Sequence, residues 1–258
     1  MNPAAQRPPL GAIRLPENLH ADRDAILWPA LLDLADHVPT PWVLIGGQMV
    51  YLHGLIAGRV PPRVTEDVDL LFDLRAELEG ITKADRVLSE LGYTVDGISP
   101  DGLAHRYIRG DGMVVDILGP DGLGDRGIEL RLRSPHGRTV AVPGGSKALE
   151  YAHPVEVSYR DRTSRIYLPD LPRALVGKVR ALSLPQCTSR VKSRHLDDIA
   201  FLVSLIDDPD AYFDARARPD PRFGTSVTAL DDRNHPSWTK LGDHAEDAFL
   251  AWEQLRHA

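Results

Sequence analysis

The sequence is poor in cysteine, and Cys187 has no second cysteine with which to form an internal disulfide. This excludes a secreted fold held together by intramolecular disulfides and is typical of a protein from a reducing compartment. No apolar run approaches the roughly 20 residues that cross a bilayer. The N-terminal segment lacks the apolar core and the small-residue cleavage site of a signal peptide. We therefore expect a cytoplasmic protein with no membrane partner.

Positive charge is also scarce, because 30 Lys and Arg stand against 37 Asp and Glu and give a net charge of -7. Taken as a total, this acidity argues against a nucleic-acid partner. The charge is unevenly spread, however: from Arg160 to Arg194 nine basic residues face two acidic ones, a local charge of +7 that leaves -14 elsewhere. Because a basic segment attracts the phosphate backbone, RNA is not excluded as a partner. A solvated surface paired with acids elsewhere would also explain it.

Apolar residues, by contrast, are abundant enough for one or two domains, at 43% of the sequence. Their spacing predicts an α/β (α+β) fold, a mixed sheet with flanking helices, followed by a mostly helical part. The predicted division is an arm over residues 1–20, an α/β domain over 21–168 and a helical C-terminal domain over 169–258. The predicted strands are 42–45, 67–72, 93–97, 105–110 and 113–118, with a hairpin at 154–160 and 164–169. The predicted helices are 21–38, 48–58 after a Gly-Gly turn, 75–91, 171–184, 191–206 and 244–257.

Two carboxylates alternate with apolar residues in the predicted strand DVDLLF, which starts at Asp67. Because side chains alternate along a strand, Asp67 and Asp69 are expected on one face while Val68 and Leu70 enter the core. Asp116 in MVVDIL is likewise an acid among apolar neighbours. Three such carboxylates on adjacent strands would bind Mg²⁺ or Mn²⁺ and support an in-line phosphoryl displacement, with Asp116 accepting the proton of an attacking hydroxyl. The alternative is a strand edge whose acids face solvent.

A glycine pair, Gly46 and Gly47, follows the first of these strands and precedes a predicted helix. Glycine lets the backbone approach a ligand closely, and a helix N-terminus offers unpaired N–H groups, so the pair is a candidate phosphate cradle. On its own, a Gly-Gly pair is more often only a turn. Lys178 and Arg180 share a later predicted helix and would help to neutralise a triphosphate if that helix closes over the acidic face.

The order of these motifs resembles the AbiEii-like (MenT-like) nucleotidyltransferase toxins of the DNA polymerase beta superfamily. The resemblance spans residues 42 to about 205 and rests on the glycine pair, R-x-T-x-D-x-D, a later strand Asp, K-x-R-A-L and R-H-x-x-D. It implies a nucleotidyltransferase fold in residues 21–168 and a nucleoside triphosphate as co-substrate. His195 stands where many members of the family have an acid. The site residues implied by position are Gly46, Gly47, Arg63 and Thr65 for the nucleotide, Asp67, Asp69 and Asp116 for the metals, Lys178 for the triphosphate, and Asp198 as a support.

The expected reaction is transfer of a nucleoside monophosphate from a nucleoside triphosphate to an acceptor hydroxyl, with release of pyrophosphate. The resemblance implies a toxin that blocks translation, a tRNA 3′ end as acceptor and a cognate antitoxin as partner. Two alternatives stay open. A nucleotidyltransferase that modifies an antibiotic or a sugar would use the same site, and a catalytically silent relative would act only by binding.

Overall fold

The computed structural model describes residues 3–17, 21–39, 41–63, 65–124, 132–184, 188–212 and 227–257, and Cys187 lies outside them. The strands are β1 (Gly11–Arg14), β2 (Trp42–Ile45), β3 (Asp67–Phe72), β4 (Tyr93–Val95), β5 (Arg106–Arg109), β6 (Val114–Pro120), β7 (Val140–Val142), β8 (Ala152–Tyr159) and β9 (Arg162–Pro169). The helices are α1 (Ala21–His37), α2 (Gly46–Ile56), α3 (Gly80–Glu90), α4 (Gly145–Glu150), α5 (Leu171–Ala181), α6 (Ser189–Val203), α7 (Pro209–Tyr212), α8 (Pro236–Thr239) and α9 (Ala245–His257). Short 3₁₀ helices cover Pro3–Gln6, Thr228–Asp231 and Gly242–His244.

The described chain divides into two compact units. The first comprises the described parts of 1–48 and 65–170 and contains both sheets, and the second comprises those of 49–64 and 171–258. The expected mixed α/β class with a helical C-terminal part is confirmed. None of the helices in the described ranges combines the length and apolar character that crossing a bilayer requires.

A mixed sheet in the first unit has the strand order β2-β3-β6-β5-β4, with β7 added beside the end of β6. Strands β3 and β6 run parallel, while β2 is antiparallel to β3 and β5 is antiparallel to β6. The parallel pairing puts Asp69 directly opposite Asp116. Val68 and Leu70 on β3 and Val115 and Ile117 on β6 are fully buried. Burial of one face specifies the register of a strand, because a shift by one residue would expose that face.

A second sheet of the same unit has the order β1-β8-β9. The predicted hairpin is confirmed as β8 and β9, which pair antiparallel from Ala152 opposite Pro169 to Tyr159 opposite Arg162. Residues 11–14, within the predicted N-terminal arm, form β1 and pair parallel with β8. Both sheets and α4 contribute to one core cluster, which includes Val43, Leu71, Leu118, Ala148, Ala152 and Tyr167.

The second unit is built around α5, α6 and α9. Helix α6 begins where the Thr188 side chain accepts a hydrogen bond from the Val191 N–H, and its C-terminal half is buried. Trp238 packs edge-on to Phe249, with ring centroids 5.9 Å apart, and lies 6.3 Å from Trp252. All three rings are buried and form part of the apolar core of this helical unit.

The starts of α2 and α3 differ from the predicted ones. Helix α2 begins at Gly46 itself, so the predicted Gly-Gly turn is the first turn of the helix. Helix α3 begins at Gly80 and not at Arg75. The Asp73 carboxylate accepts hydrogen bonds from the N–H groups of Arg75 and Ala76, and the Glu77 N–H donates to the Asp73 carbonyl oxygen, so a separate turn precedes the helix.

Candidate active site

Three carboxylates meet on the mixed sheet of the first unit. Carboxylate oxygens of Asp67, Asp69 and Asp116 all lie within 4.8 Å of one another. Asp67 and Asp69 are half-buried, whereas Val68 and Leu70 between and after them are fully buried, as the strand alternation predicts. The expectation that the three acids lie together on adjacent strands is confirmed, and we refer to them as the acidic triad.

A cation is already paired with the acidic triad. Arg106 on β5 lies opposite Asp116 in the strand register. Its Nε donates to Asp116 Oδ1 at 2.9 Å and its Nη2 donates to Oδ2 at 2.7 Å. These hydrogen bonds, and the charges of Asp67 and Asp69, raise the pKa of Arg106 although its partial burial opposes this. Arg106 therefore offsets part of the repulsion among three neighbouring carboxylates.

Sequence reasoning missed Arg106. The only available signal was its place in the predicted strand HRYIRG, since Arg106 opposes Asp116 once β5 and β6 are paired in the observed register. That register is a tertiary property, set by the sheet and not by either strand alone.

The glycine pair lies against the acidic triad. Gly46 has φ +71°, and a Cβ on it would stand 1.7 Å from Asp69 Oδ2. A Cβ on Gly47 would stand 2.6 Å from the Thr65 side chain. Only glycine allows the start of α2 to come this close to β3, and the first N–H groups of a helix have no partner within the helix. The pair thus brings backbone donors next to the carboxylates.

Two buried polar residues connect this helix start to Asp67. The Gln48 Nε2 donates to the Thr65 carbonyl oxygen at 2.9 Å, and the Thr65 hydroxyl donates to Asp67 Oδ1. Gln48 is 1% exposed and Thr65 is 7% exposed. Thr65 is therefore fixed at both its backbone and its side chain.

A separate cluster of the predicted site residues lies within the second unit. Asp198 on α6 accepts from Arg63 Nε at 3.2 Å and Nη2 at 3.1 Å, and from Lys178 Nζ at 2.7 Å. Lys178 and Asp198 are buried, and Arg180 lies two residues further along α5. Burial alone would raise the pKa of Asp198, but the Lys178 charge and the Arg63 hydrogen bonds outweigh it and hold this pKa below its usual range. We refer to Arg63, Lys178 and Asp198 as the buried ion cluster.

His195 lies one turn before Asp198 on α6. Burial, and then the Lys178 charge, lower the pKa of His195 to about 4, so its imidazole is neutral near pH 7. The neighbouring acid Asp197 serves another contact, because it accepts from Lys240 Nζ at 2.8 Å and from the Ser237 hydroxyl at 2.7 Å. The two consecutive acids of α6 therefore face different partners within the second unit.

The acidic triad has the donor chemistry of a divalent-cation site. Its ligands are hard carboxylate oxygens, which suit Mg²⁺ and Mn²⁺. When Arg106 is counted, three negative charges stand against one positive charge. A divalent cation would neutralise the remaining negative charge and would not make the cluster positive. The residues present fit such an ion.

The fold and the site together define a mixed α/β protein with an acidic cluster suited to divalent cations. Residues 31–253 match the family described as nucleotidyl transferase AbiEii toxin, type IV toxin–antitoxin system. The chain belongs to this family, so it is a nucleotidyltransferase of the toxin–antitoxin class, and the resemblance inferred from its motifs is confirmed. Membership implies a nucleoside triphosphate substrate and an antitoxin partner.

Comparison with solved structures finds a similarity to the crystal structure of an antigenic nucleotidyltransferase-like protein from Paracoccidioides brasiliensis. The two share 14% sequence identity over 90% of this chain and 94% of that one, with a TM-score of 0.47. No curated protein matches the sequence significantly.

Proposed function

We propose that this nucleotidyltransferase toxin uses Mg²⁺ or Mn²⁺ to transfer a nucleoside monophosphate from a nucleoside triphosphate to the 3′ hydroxyl of tRNA, and so blocks translation. The observation that carries the proposal is the acidic triad, whose oxygens lie within 4.8 Å of one another beside the glycine-opened start of α2. The acceptor oxygen forms a bond to the α-phosphorus while the bond from that phosphorus to the departing pyrophosphate breaks.

In this proposal the acidic triad holds the metal. A divalent ion at such carboxylates neutralises charge on the phosphates and orients the attacking and leaving oxygens. Asp116 accepts the proton of the acceptor hydroxyl, since a carboxylate oxygen bonded once by Arg106 keeps another lone pair. Asp67 and Asp69 are the other two metal ligands, on the neighbouring strand.

The nucleotide-binding residues have separate roles in the proposal. The N–H groups at Gly46 and Gly47 bind phosphate oxygens, assisted by Thr65. Lys178 and Arg180 supply positive charge for the triphosphate, and Asp198 keeps Arg63 and Lys178 in fixed positions through the hydrogen bonds of the buried ion cluster.

The charge distribution supports RNA as the acceptor. The segment from Arg160 to Arg194 carries +7 in a chain of net charge -7. A local excess of basic side chains attracts a phosphate backbone even when the total charge is negative. Lys178 and Arg180 would serve the triphosphate with either kind of acceptor, so the support for RNA comes from the other basic residues of the segment.

The proposal is tested with the purified full-length chain, total RNA and each of the four nucleoside triphosphates labelled at the α-phosphate. We expect label on RNA of tRNA size, complete dependence on Mg²⁺ or Mn²⁺, and loss of at least about a thousandfold in rate for Asp69→Asn. Glu66→Gln is the matched control, because Glu66 is an exposed acid in the same segment.

Three outcomes would count against the proposal. If transfer continues in the presence of EDTA, the reaction does not depend on a divalent metal, and that part of the proposal is wrong. Label that appears only on a small molecule, and never on RNA, would favour the antibiotic- or sugar-modifying alternative. Absence of both transfer and nucleotide binding by the wild type would favour a silent binding protein.

A further inference from the structure

We propose that Gln48 and Thr65 are positioning residues that orient the Asp67 carboxylate for metal binding, a pair that we call the Gln48–Thr65 brace. The inference rests on the proposed metal-dependent function, and it assigns Gln48 a role that the family motif does not include. It also gives Thr65 a role that is independent of the nucleotide.

Gln48 is placed for function more than for packing. Its Nε2 donates to the Thr65 carbonyl oxygen, which can only accept, so the orientation of the amide is fixed. Its Oε1 is then buried with no hydrogen-bond partner in the described part of the chain. A buried acceptor without a partner is unfavourable for folding, so an apolar residue of equal volume would serve packing better. The donor on Nε2 is what this position requires.

Thr65 is confined on the side that faces α2. Gly47 stands so close that an added Cβ would be 2.6 Å from Thr65 Cβ and Cγ2 and 2.8 Å from its Oγ1. A β-branched side chain has few χ1 rotamers, and this contact, together with the fixed carbonyl, restricts Thr65 further. Its hydroxyl is held in the position from which it donates to Asp67 Oδ1.

Asp67 needs such support because it is the first residue of β3 and only half-buried. A hydrogen bond to one carboxylate oxygen fixes the plane of the Asp67 carboxylate. Its remaining lone pairs then point toward the place where the acidic triad would bind a metal. Outer hydrogen bonds of this kind typically contribute about 10-fold to 100-fold to metal affinity. The contribution is made before any nucleotide binds, which separates it from a direct contact between Thr65 and phosphate.

The experiment measures binding of Mn²⁺ alone to the full-length chain, by titration of the electron paramagnetic resonance signal of free Mn²⁺. Thr65→Val keeps the shape of the side chain and removes the hydroxyl, and we expect it to weaken Mn²⁺ binding about 10-fold to 100-fold. Thr65→Ser keeps the hydroxyl and should bind within about threefold of the wild type. Thr163→Val, on β9, controls for loss of a hydroxyl elsewhere in the first unit, and should bind like the wild type.

Gln48→Met provides a second, independent variant of similar volume that lacks the N–H donor. We expect a smaller loss of affinity than for Thr65→Val. Because both residues act through one hydroxyl, the double variant should bind no more weakly than Thr65→Val. Far-ultraviolet circular dichroism and the melting temperature in EDTA establish that each variant is folded. If Thr65→Val does not fold, Gln48→Met is used to test the proposal.

Folded variants that bind Mn²⁺ as tightly as the wild type would overturn the brace and leave the proposed function standing. Additive losses in the double variant would also overturn it, since they require two separate routes to the metal. If the wild type itself binds no Mn²⁺, the metal site and the proposed function fail together with the brace.

Discussion

Gly46 shows how one residue joins backbone conformation to the chemistry of the site. Its φ of +71° is costly for any residue with a Cβ, by about 1–2 kcal/mol. The added Cβ would also overlap Asp69 Oδ2, at 1.7 Å. We expect Gly46→Ala to displace Asp69 and lower the rate of nucleotidyl transfer at least about a hundredfold. The measurement is the initial rate of labelled monophosphate transfer at saturating triphosphate.

Gly58 offers a matched control for this prediction. It has a similar φ of +68°, but a Cβ placed on it would meet no atom within 4 Å. Gly58→Ala should therefore carry the same backbone cost, seen as a lower melting temperature, without the loss of rate. Equal rates for the two variants would mean that the contact with Asp69 does not matter for transfer.

Individual residues differ in how well the sequence predicts their place. Asp67 and Asp69 were predictable because period-two alternation is a local property of a strand, and Asp116 because an acid in an apolar strand is unusual. Arg106 was not predictable, since its pairing with Asp116 depends on the register between two strands. The roles of Gln48 and Thr65 depend on a contact between α2 and the segment before β3, which no periodicity encodes.

At the scale of elements, the predicted boundaries agree with the structure less well than the predicted bodies. Helix α3 starts at Gly80, after a separate turn in which Asp73 accepts from the N–H groups of Arg75 and Ala76. The bodies of α1, β3 and the β8–β9 hairpin agree with prediction, because each has a sustained apolar period and clear breakers. A local pattern thus predicts the body of an element better than its ends.

Helices α5 and α6 are joined by the buried ion cluster, and Asp198→Asn tests its strength. The substitution keeps the shape of the side chain but removes the negative charge that pairs with Lys178, which is 6% exposed, and with Arg63. Removing one partner of a buried ion pair typically costs about 3–5 kcal/mol. We expect a loss of this size in the free energy of urea unfolding at pH 7. Asp243→Asn, an exposed acid in the same unit, should change it little.

The pH dependence of this loss follows from the pKa of Asp198, which is lower in the folded chain than in the unfolded one. The stabilisation is fully present above the unfolded pKa of about 4 and is lost as the pH falls through the lower folded pKa. The difference between wild type and Asp198→Asn should therefore be largest near neutral pH and shrink below about pH 4. A difference that grows on acidification would contradict the assigned ion pair.

At the scale of the whole molecule, net charge is a poor guide to the partner. The net charge of -7 argues against a nucleic-acid partner. The chain nevertheless divides into a segment of charge +7 and a remainder of charge -14, and the basic segment could bind nucleic acid. The net charge of a protein governs its solubility and long-range repulsion, whereas a bound polyanion responds to the local electric field at its binding site. Three of the basic residues, Arg190, Lys192 and Arg194, are exposed in the first turns of α6.

These three residues give the molecular-scale prediction. Replacing Arg190, Lys192 and Arg194 by Gln should weaken tRNA binding and leave the KM for the nucleoside triphosphate unchanged. If each contacts one phosphate, the slope of log K against log salt concentration should become shallower by about 2. Affinity is measured by filter binding or anisotropy at several salt concentrations.

This prediction concerns the position of the basic residues and not the net charge of the protein. The matched control replaces Arg14, Arg86 and Lys147, three exposed basic residues of the first unit, and changes the net charge by the same amount. If the total controlled RNA binding, both triple variants would lose affinity equally, because each would be more acidic than the wild type. If the basic segment forms the binding surface, only the α6 variant should lose affinity and salt dependence together, since counterion release occurs where phosphates are contacted. An equal response from both variants would remove the basic segment as support for an RNA acceptor.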